Sequence, residues 1–564
     1  MQNSKCLLNR IVVLGLAFFG VLFLLSCSPK NSQNEAQEEK PNIILLFSDE
    51  LQFEDLGFAG GSIPTPNLDK LASEGLYFEN TFTPAPMCTP SRFSVLSGRY
   101  PGKCRDEAFL EKYPFSVPYN IGWNTYLDSR VKTIPRILSS HGYYTGMAGK
   151  WHVGGEARGM SQDLLRLDDS PEDPRVNENL AKHQKLVSKR IRDDAGFDVA
   201  NSVMYGNFDG FGVKALRYHN FPWFTKGAVD FIEQSAERDQ PFFLYLAATS
   251  LHGPHHAEGL ERDYSYTPEG KLEGISAYNL DVDKLSAEIS SMASPQSHRY
   301  TGMAFLDHQV GLVMDKLKEL GMEENTIVIF LPDHNTEPAK ATCYEKGIRI
   351  PMLIKWPGKI DPESKTAARV QTIDLLPTIL EMAGVPLPED YEIDGESLMP
   401  VIEDNELPFK KYIFAESGFT RSVSDGQFKY IAFRYPEETL AKMKSGALKT
   451  APNYVKEGSG GIPVVSIKFY PSYFDADQLF DLSTDPYEME NLAYDPVYEE
   501  KVAQLQEVLK EHLSSFRHPF DLYVDPFVRS DQYWALVKES KKESVYDIPW
   551  YVRDWGEVVW PPVN

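Results

Sequence analysis

Three short apolar runs constrain the fold of this chain more than any other feature of its sequence. They are NIILLFS at Asn42–Ser48, FFLYLAA at residues 242–248 and TIVIFL at residues 326–331, and residues 143–148 form a weaker fourth candidate. Runs of this length, rich in β-branched residues and bounded by turn residues, are typical of strands buried on both faces. They therefore predict a mostly parallel sheet.

Helical patterns lie between these runs. One begins with a Thr-Pro pair at residue 65 and ends near Gly75, and longer amphipathic patterns cover residues 300–320, 370–383 and 498–513. Alternating strands and helices predict an α/β fold in which helices sandwich a large, mostly parallel sheet.

The character of the sequence changes after about residue 405. Short runs at residues 412–415, 421–423 and 429–433 predict strands of an antiparallel sheet, and DADQLFDL at residues 475–482 precedes the last helical pattern. We therefore predict a main N-terminal domain over residues 41–404 and a smaller C-terminal subdomain over residues 405–515, built from an antiparallel sheet plus a helix. Residues 516–564 are rich in aromatic side chains and predict a tail that wraps over the body of the protein.

Residues 1–27 have the pattern of a targeting segment. Lys5 and Arg10 precede an apolar run from Ile11 to Leu25, which is shorter than the roughly 20 residues of a spanning helix and typical of a signal peptide. The segment ends in LLSC, which resembles a bacterial lipobox with Cys27 as the lipidated residue. Residues 28–40 are polar and predict a flexible tether. We expect an exported lipoprotein, anchored to a membrane through Cys27 and either periplasmic or on the cell surface.

The formal net charge of −24 limits the ligands of the folded part. A chain with this excess of acidic residues is a poor candidate for binding nucleic acid or an anionic membrane surface. An anionic substrate would require a local cationic pocket to overcome the overall field.

Polar side chains follow each apolar run at the point where the predicted strand ends. In chain order these are Asp49 and Glu50, Lys150 and His152, His252, and the sequence Asp333-His334-Asn335. A single residue of this kind is usually a turn former. Because the carboxyl ends of parallel strands share one edge of the sheet, four such groups together predict a site at that edge.

The residue types at this edge indicate its chemistry. Asp49, Glu50 and Asp333 offer carboxylate oxygens, which suit a hard divalent cation such as Ca²⁺ or Mg²⁺. Five residues add positive charge or carry protons, namely Arg92, Lys150, His152, His252 and Lys340. A metal ringed by such groups predicts a site for a tetrahedral oxyanion.

The segment CTPSR at residues 88–92 completes this prediction. Cys88, Cys104 and Cys343 are an odd number of cysteines beyond Cys27, and a thiol left unpaired in an exported chain is often functional. Pro90 and Ser91 predict the start of a helix that ends at Gly98, and the N–H groups at a helix start bind anions. Cys88 would therefore face the central atom of the anion.

These motifs resemble those of the formylglycine-dependent sulfatases. CTPSR matches the C-x-P-S-R signature of that family, and LSGR at residues 96–99 continues it. GYYT at residues 142–145 with GKWH at residues 149–152 resembles the second family signature, and PNI at 41–43, TPNLD at 65–69 and YEKGIRIP at 344–351 match further stretches. The likeness spans about residues 41–513 and implies an alkaline-phosphatase-like fold.

The resemblance implies that a formylglycine-generating maturation enzyme converts Cys88 into formylglycine, whose hydrate attacks the sulfur of a sulfate ester. It also implies that Arg92 and a metal, Ca²⁺ or alternatively Mg²⁺, activate that hydroxyl. By the same analogy, Lys150, Lys340 and His252 bind sulfate oxygens, and His252, alone or together with Lys340, protonates the leaving alcohol. His152 then removes a proton so that sulfate leaves. The expected substrate is a sulfated polysaccharide or its oligosaccharides.

The predicted metal ligands are Asp49, Glu50, residue 88, Asp333 and His334, and two of them depart from the family pattern. Glu50 stands where the family usually has a second aspartate. Asp333-His334 replaces the commoner Asp-Asn, and because an imidazole nitrogen suits Ca²⁺ poorly, the amide of Asn335 remains an alternative ligand.

Two other functions remain open at the level of sequence. A phosphatase or phosphonate monoester hydrolase of the same superfamily would share the metal and the oxyanion site. A catalytically silent glycan-binding lipoprotein would use aromatic residues such as Trp123, Trp223, Tyr264 and Trp560 for stacking on sugars, although packing is the commoner role of such residues.

Overall fold

The computed structural model describes residues 39–155, 164–336, 339–452 and 463–542. Its strands are β1 (Asn42–Ser48), β2 (Leu76–Phe82), β3 (Tyr144–Lys150), β4 (Val199–Met204), β5 (Phe242–Ala247), β6 (Tyr266–Thr267), β7 (Gly270–Lys271), β8 (Thr326–Pro332), β9 (Arg349–Lys355), β10 (Ser364–Gln371), β11 (Ile413–Ser417), β12 (Thr420–Ser424), β13 (Phe428–Phe433) and β14 (Asp477–Asp481).

The helices alternate with the strands over most of the chain. They are α1 (Pro66–Ser73), α2 (Cys88–Ser97), α3 (Glu107–Lys112), α4 (Ile134–Ser140), α5 (Pro174–Ala195), α6 (Phe221–Ala236), α7 (Val282–Ile289), α8 (Ser294–Glu319), α9 (Glu345–Ile348), α10 (Leu375–Met382), α11 (Met399–Glu403), α12 (Glu437–Lys444), α13 (Pro463–Phe469), α14 (Glu499–Leu513) and α15 (Asp531–Ser540). Short 3-10 helices occur in the connections.

An eight-stranded sheet in the order β10-β2-β9-β8-β1-β5-β3-β4 forms the centre of the fold. β9 runs antiparallel to both of its neighbours, and every other adjacent pair is parallel. The predicted mostly parallel sheet is therefore confirmed. Because β8, β1, β5 and β3 are adjacent and parallel, the residues that follow them lie side by side at one edge.

Both faces of this sheet are covered, as the apolar runs predict. Ile43, Leu45 and Phe47 of β1 belong to one core cluster, whereas the alternating Ile44 and Leu46 belong to another. The first cluster also contains side chains of α2, α4, α5 and α10, and the second contains those of α1, α6 and α8. Period-2 alternation thus sends successive apolar side chains into opposite cores.

A second sheet has the order β11-β12-β13-β14 and is antiparallel throughout. Leu505 and Leu509 of α14 are buried in the same core cluster as Ile413 and Ile431 of this sheet. The antiparallel sheet and helix predicted beyond residue 405 are confirmed, and the stretch at residues 475–482 supplies its fourth strand. The domain boundaries remain predictions.

Some predicted elements differ from the observed ones. The pattern at residues 370–383 combines the end of β10 with α10, because Val370 pairs with Thr81 in the sheet and the helix begins only at Leu375. The predicted tail contains a helix, α15, whose start is capped by the Ser530 hydroxyl accepting from the N–H of Tyr533 at 3.3 Å.

The predicted targeting segment, the lipidation residue Cys27, most of the tether and Trp560 lie outside the described residues. Within the ranges that the structure describes, no helix is both long enough and apolar enough to span a membrane.

Candidate active site

The edge formed by the carboxyl ends of β8, β1, β5 and β3 brings the predicted site residues together. Ser48 pairs with Pro332 and Phe47 with Ala247, so the strands end nearly level. The groups that follow are therefore neighbours, with Asp49 centrally placed. α2 reaches the same edge with its first turn.

Four side chains form a buried group that could hold a metal ion. Asp49, Cys88, Asp333 and His334 each offer one ligand atom, and these atoms lie within 4.8 Å of one another. The sulfur of Cys88 is 3.6 Å from Asp49 Oδ1 and 3.4 Å from His334 Nε2. All four residues are buried. We refer to them as the four-residue group.

His334 directs its Nε2 towards this group. Its Nδ1 lies 2.6 Å from the carbonyl oxygen of Asn335, which can only accept, so Nδ1 is the donor and the neutral tautomer has its lone pair on Nε2. The Asn335 amide is occupied elsewhere, because it donates to Arg349 O at 3.1 Å and accepts from Thr336 N at 2.7 Å. Of the two alternatives left open by the sequence, the geometry favours His334.

Glu50 lies beside the four-residue group and is not a member of it. Its backbone is in the left-handed region (φ 54°). Oε1 forms an ion pair with Lys340 and lies 3.6 Å from His252 Nε2. Its assignment as a direct metal ligand therefore stays a prediction, and the carboxylate contacts the two residues expected to bind the oxyanion.

Arg92 is fully buried between the two aspartates. Nη2 donates to Asp49 Oδ2 at 3.3 Å and to Asp333 Oδ2 at 3.1 Å. Nη1 donates to the Lys150 carbonyl at 3.0 Å and to the Tyr245 hydroxyl at 3.3 Å. The guanidinium thus compensates two buried carboxylates that would otherwise be costly to desolvate.

Charge pairing sets the protonation states at the centre of the site. Burial alone would raise the pKa of Asp49, but Lys150 and Arg92 hold it well below its ordinary value. Burial opposes the charge of Lys150, and the adjacent Asp49 carboxylate nevertheless raises its pKa. For Asp333, burial and the nearby Asp49 raise the pKa. Asp49 and Lys150 are consequently a charged pair.

The last residues of β3 depend on a glycine. Gly149 has φ 99°, and a Cβ built at this position would lie 1.9 Å from the carbonyl oxygen of Ala247. Only glycine combines this backbone conformation with so close an approach of β3 to β5. The chain then continues to Lys150, whose ammonium pairs with Asp49.

Cys88 is the first residue of α2, two positions before the predicted helix start. Pro90 is accommodated in the first turn because N–H groups there have no intrahelical acceptor. The Ser91 hydroxyl donates to Asp333 O at 2.5 Å and ties the helix to the end of β8. Burial and Asp49 raise the pKa of Cys88 well above its ordinary value.

The remaining predicted residues complete the ring. The carbonyl of His152 accepts from the Thr89 hydroxyl at 2.9 Å, and burial together with Lys150 lowers the pKa of its imidazole well below the ordinary value. Burial lowers the pKa of Lys340 to about 8. For His252, burial and Lys150 lower the pKa. All predicted catalytic residues therefore lie at one edge of the sheet.

Asn207 is a residue of this site that the sequence analysis missed. It follows β4, and its Nδ2 is 3.3 Å from His252 Nε2. Its Oδ1 is buried and has no hydrogen-bond partner among the described residues. A glycine before it and FDG after it give the pattern of an ordinary turn, so only its position after a strand of the parallel sheet could have indicated it.

We expect Asn207→Ala to lower kcat/KM about tenfold, because His252 Nε2 loses its contact with the Asn207 amide. Asn201→Ala, in β4 itself, is the matched control and should keep its activity. Steady-state kinetics on one sulfate ester measures both. Equal kinetics for the two variants would contradict a role for Asn207.

The donor set fits a divalent cation. Two buried carboxylates and an imidazole nitrogen converge, and the ion pairs with Arg92 and Lys150 involve the Oδ2 atoms of the aspartates rather than Oδ1. Carboxylate oxygens favour Ca²⁺ or Mg²⁺, whereas a nitrogen ligand is less usual for Ca²⁺.

A parallel sheet whose strand ends combine this group with cationic side chains defines a hydrolase for esters of a tetrahedral oxyanion. The family model described as Sulfatase matches residues 41–385, and the chain belongs to that family. It is a sulfuric ester hydrolase. A second model, described as N-sulphoglucosamine sulphohydrolase, C-terminal, matches residues 339–440.

Curated relatives agree with this assignment. An ulvan-active sulfatase of Formosa agariphila is 27% identical over 511 residues, covering 88% of this chain and 86% of the relative. Human arylsulfatase A is 29% identical over 483 residues, covering 80% and 83% respectively. An N-acetylgalactosamine-6-O-sulfatase of Bacteroides thetaiotaomicron is 24% identical and is covered over 97% of its length, with 87% of this chain.

Solved structures share the fold. Ps i-CgsB in complex with k-i-k-neocarrahexaose superposes with a TM-score of 0.56 at 20% identity, covering 90% of this chain and 99% of that one. A protein solved with its substrate D-glucosamine-2-N,6-O-disulfate gives a TM-score of 0.54 at 18% identity, covering 85% and 98%. The family model and the curated relatives do not favour the phosphatase or the silent binder.

Proposed function

We propose that this sulfatase removes sulfate from a sulfated polysaccharide or its oligosaccharides, with residue 88 acting as formylglycine. One observation carries the mechanism: Cys88, at the start of α2, lies against Asp49 and His334 and within a ring of lysine and histidine side chains. Conversion by a maturation enzyme that reads the C-x-P-S-R sequence accounts for its position.

Each side chain around residue 88 has a separate role in the proposed reaction. As formylglycine hydrate, residue 88 supplies the hydroxyl that displaces the alcohol at sulfur. Lys150 and Lys340 bind sulfate oxygens through their ammonium groups. His252 delivers a proton from Nε2 to the leaving alcohol, and a bound sulfate ester would oppose the lowering of its pKa by burial. His152 takes the proton whose loss releases sulfate.

The proposed metal is Ca²⁺, with Mg²⁺ as the alternative, held by Asp49, Asp333, His334 and residue 88. When bound, it supplies Lewis acidity that lowers the pKa of a hydroxyl and screens the charge of the ester. Arg92 holds both aspartates in place through its two hydrogen bonds. Glu50 orients Lys340 and His252 from the side.

The names of the relatives support a carbohydrate substrate. They include enzymes described as acting on ulvan and on N-acetylgalactosamine-6-O-sulfate, and a structural neighbour holds a neocarrahexaose. All of these are sulfated saccharides.

A sulfate-release assay tests the function. Matured, metal-loaded protein is incubated with ulvan, carrageenan and glycosaminoglycan oligosaccharides, and with an aryl sulfate and an aryl phosphate. We expect sulfate release from at least one saccharide and faster turnover of the aryl sulfate than of the phosphate. Preferential phosphate release would overturn the proposal.

Removal of the metal should lower activity at least about tenfold, since the chain loses the Lewis acid beside residue 88. Ca²⁺ should restore it more fully than Mg²⁺. Elemental analysis together with kinetics before and after chelation measures this, and Asp333→Asn should bind less metal. A chelated protein that retains full turnover would contradict the proposed site.

We also propose export and lipid anchoring through Cys27, supported by the pattern of residues 1–27. In cells given a labelled fatty acid, we expect the label to be incorporated into the parent protein and not into Cys27→Ala. A labelled variant, or an unlabelled parent protein, would contradict this anchor.

A further inference from the structure

Two buried histidines hold the loop that carries His252. This loop, residues 249–254, follows β5 and is joined to the end of β1, where Asp49 N donates to Ser250 O at 2.6 Å. On its other side it meets His219, just before α6, and His298, in α8. We call residues 249–254 the His252 loop.

His298 holds the centre of the loop with a defined tautomer. Its Nδ1 is 3.2 Å from the N–H of His256, which can only donate, so Nδ1 accepts. Nε2 therefore carries the proton and donates to the carbonyl of Leu251 at 2.9 Å. Burial lowers the pKa of His298 to about 3, which is consistent with this neutral ring. Leu251 is the residue immediately before His252.

His219 connects the two ends of the same loop. Its Nε2 is 3.0 Å from Pro254 O, which can only accept, so this nitrogen donates. Its Nδ1 then accepts from the Thr249 hydroxyl at 2.8 Å. One imidazole thus joins the first and last residues of the His252 loop.

The His256 ring contacts both of these histidines. Its centroid is 4.6 Å from that of His298 in a stacked arrangement and 3.9 Å from that of His219 in a tilted one. His256 is buried, and its two ring nitrogens have no hydrogen-bond partner within the described part of the chain. These ring contacts, together with the hydrogen bonds of His219 and His298, restrict the rotation of both donors.

We propose that His219 and His298 are positioning residues that fix the His252 loop and thereby the direction of His252 Nε2. This inference rests on the proposed role of His252 in binding sulfate and protonating the alcohol. The His252 ring contacts Gly253 O through Nδ1 at 2.9 Å, and its Nε2 contacts Asn207 and Glu50. The loop backbone is joined to the end of β1 by Asp49 N donating to Ser250 O and Leu251 N donating to Asp49 O, and the bonds from His219 and His298 fix its opposite side.

Conservative variants of His298 separate positioning from packing. The Gln amide nitrogen extends about as far as Nε2, whereas the Asn side chain extends only as far as Nδ1. His298→Gln should therefore keep a donor to Leu251 O, and His298→Asn should keep only the acceptor for His256 N. We expect His298→Asn to lower kcat about 10–100-fold with a smaller change in KM, because small displacements of a catalytic group are costly. His298→Gln should stay within about threefold of the parent enzyme.

A double-mutant cycle identifies the residue through which His298 acts. In a His252→Ala background, His298→Asn should cause little further loss of kcat. His183→Asn is the matched control. His183, in α5, is a buried histidine that packs edge-on against Phe211. It should keep the parent kcat. Thermal melting and the mass of the peptide containing residue 88 establish that each variant is folded and matured.

The outcomes distinguish this inference from the proposed function. A fully active His252→Ala would overturn the role of His252 and with it the inference. A slow His252→Ala with an unaffected His298→Asn, or additive losses in the double variant, would overturn only the positioning role. If His298→Asn does not fold, His219→Gln and His219→Asn are put through the same cycle. In that cycle, losses of kcat that add to the loss caused by His252→Ala would overturn the inference. Losses that do not add would support it.

Discussion

Cys88→Ala is expected to abolish sulfate release, with a loss of turnover of at least about 10⁴-fold. The variant removes the only atom of residue 88 that contacts Asp49 and His334 and leaves no precursor for the aldehyde. Hydrolysis of a sulfated oligosaccharide, followed by the release of inorganic sulfate, measures the effect. The fold should persist, because alanine fits the first turn of α2.

Cys88→Ser tests the step that releases sulfate. A serine offers one hydroxyl where an aldehyde hydrate offers two, so it cannot expel sulfate by elimination. We expect at most one equivalent of alcohol per enzyme and no sustained sulfate release. Cys104→Ala is the control, because Cys104 is an equally buried thiol that is not part of the four-residue group, with its sulfur donating to Tyr126 O at 3.7 Å. Sustained turnover by Cys88→Ala would remove the basis of the mechanism.

Arg92→Met is expected to lower both stability and catalysis. Without the guanidinium, Asp49 and Asp333 remain buried with Lys150 as their main cationic partner, and breaking such a buried pair costs about 3–5 kcal/mol of the free energy of unfolding. Among molecules that stay folded, kcat should fall about 10²–10³-fold, as when one preorganised electrostatic donor is lost. Urea denaturation and kinetics normalised to folded protein measure the two effects in metal-free and metal-loaded samples.

Arg421→Met provides the matched control for Arg92. Arg421 is also buried and pairs with a buried carboxylate, Glu416, at 3.4 Å, but it lies in the antiparallel sheet. It should lose a similar amount of stability while its folded fraction keeps the parent kcat. If both variants lost the same fraction of kcat, or if Arg92→Met retained it, Arg92 would have a structural role only.

The sequence predicted the central strands well because their signal is local. NIILLFS is apolar throughout its length, and β1 has the predicted bounds. β2 and β4 were missed, since Glu79, Asn80 and Asn201 interrupt their apolar character and leave part of each strand only half-buried. Their place in the sheet comes from pairing with distant segments, which a single sequence does not display.

The sequence predicted the site residues that directly follow a predicted strand. It did not predict those whose role depends on the direction in which a side chain points. Asp333 and Asp49 were identified because parallel strands end at one edge. The choice between His334 and Asn335 depended on which side chain the turn directs inward, and Asn335 proved to be occupied by Arg349 and Thr336. Asn207 gave no signal, because its partner His252 lies 45 positions further along the chain.

The burial of α2 determines when residue 88 can be chemically altered. Every residue from Cys88 to Ser97 is buried, including the proline and arginine of the motif that a maturation enzyme would read. A maturation enzyme could bind this segment only before the chain has folded, during or just after synthesis. Under the proposed function, an unconverted thiol would be enclosed once the native state forms, so a cell that produced this chain faster than it converted it would accumulate folded, inactive molecules.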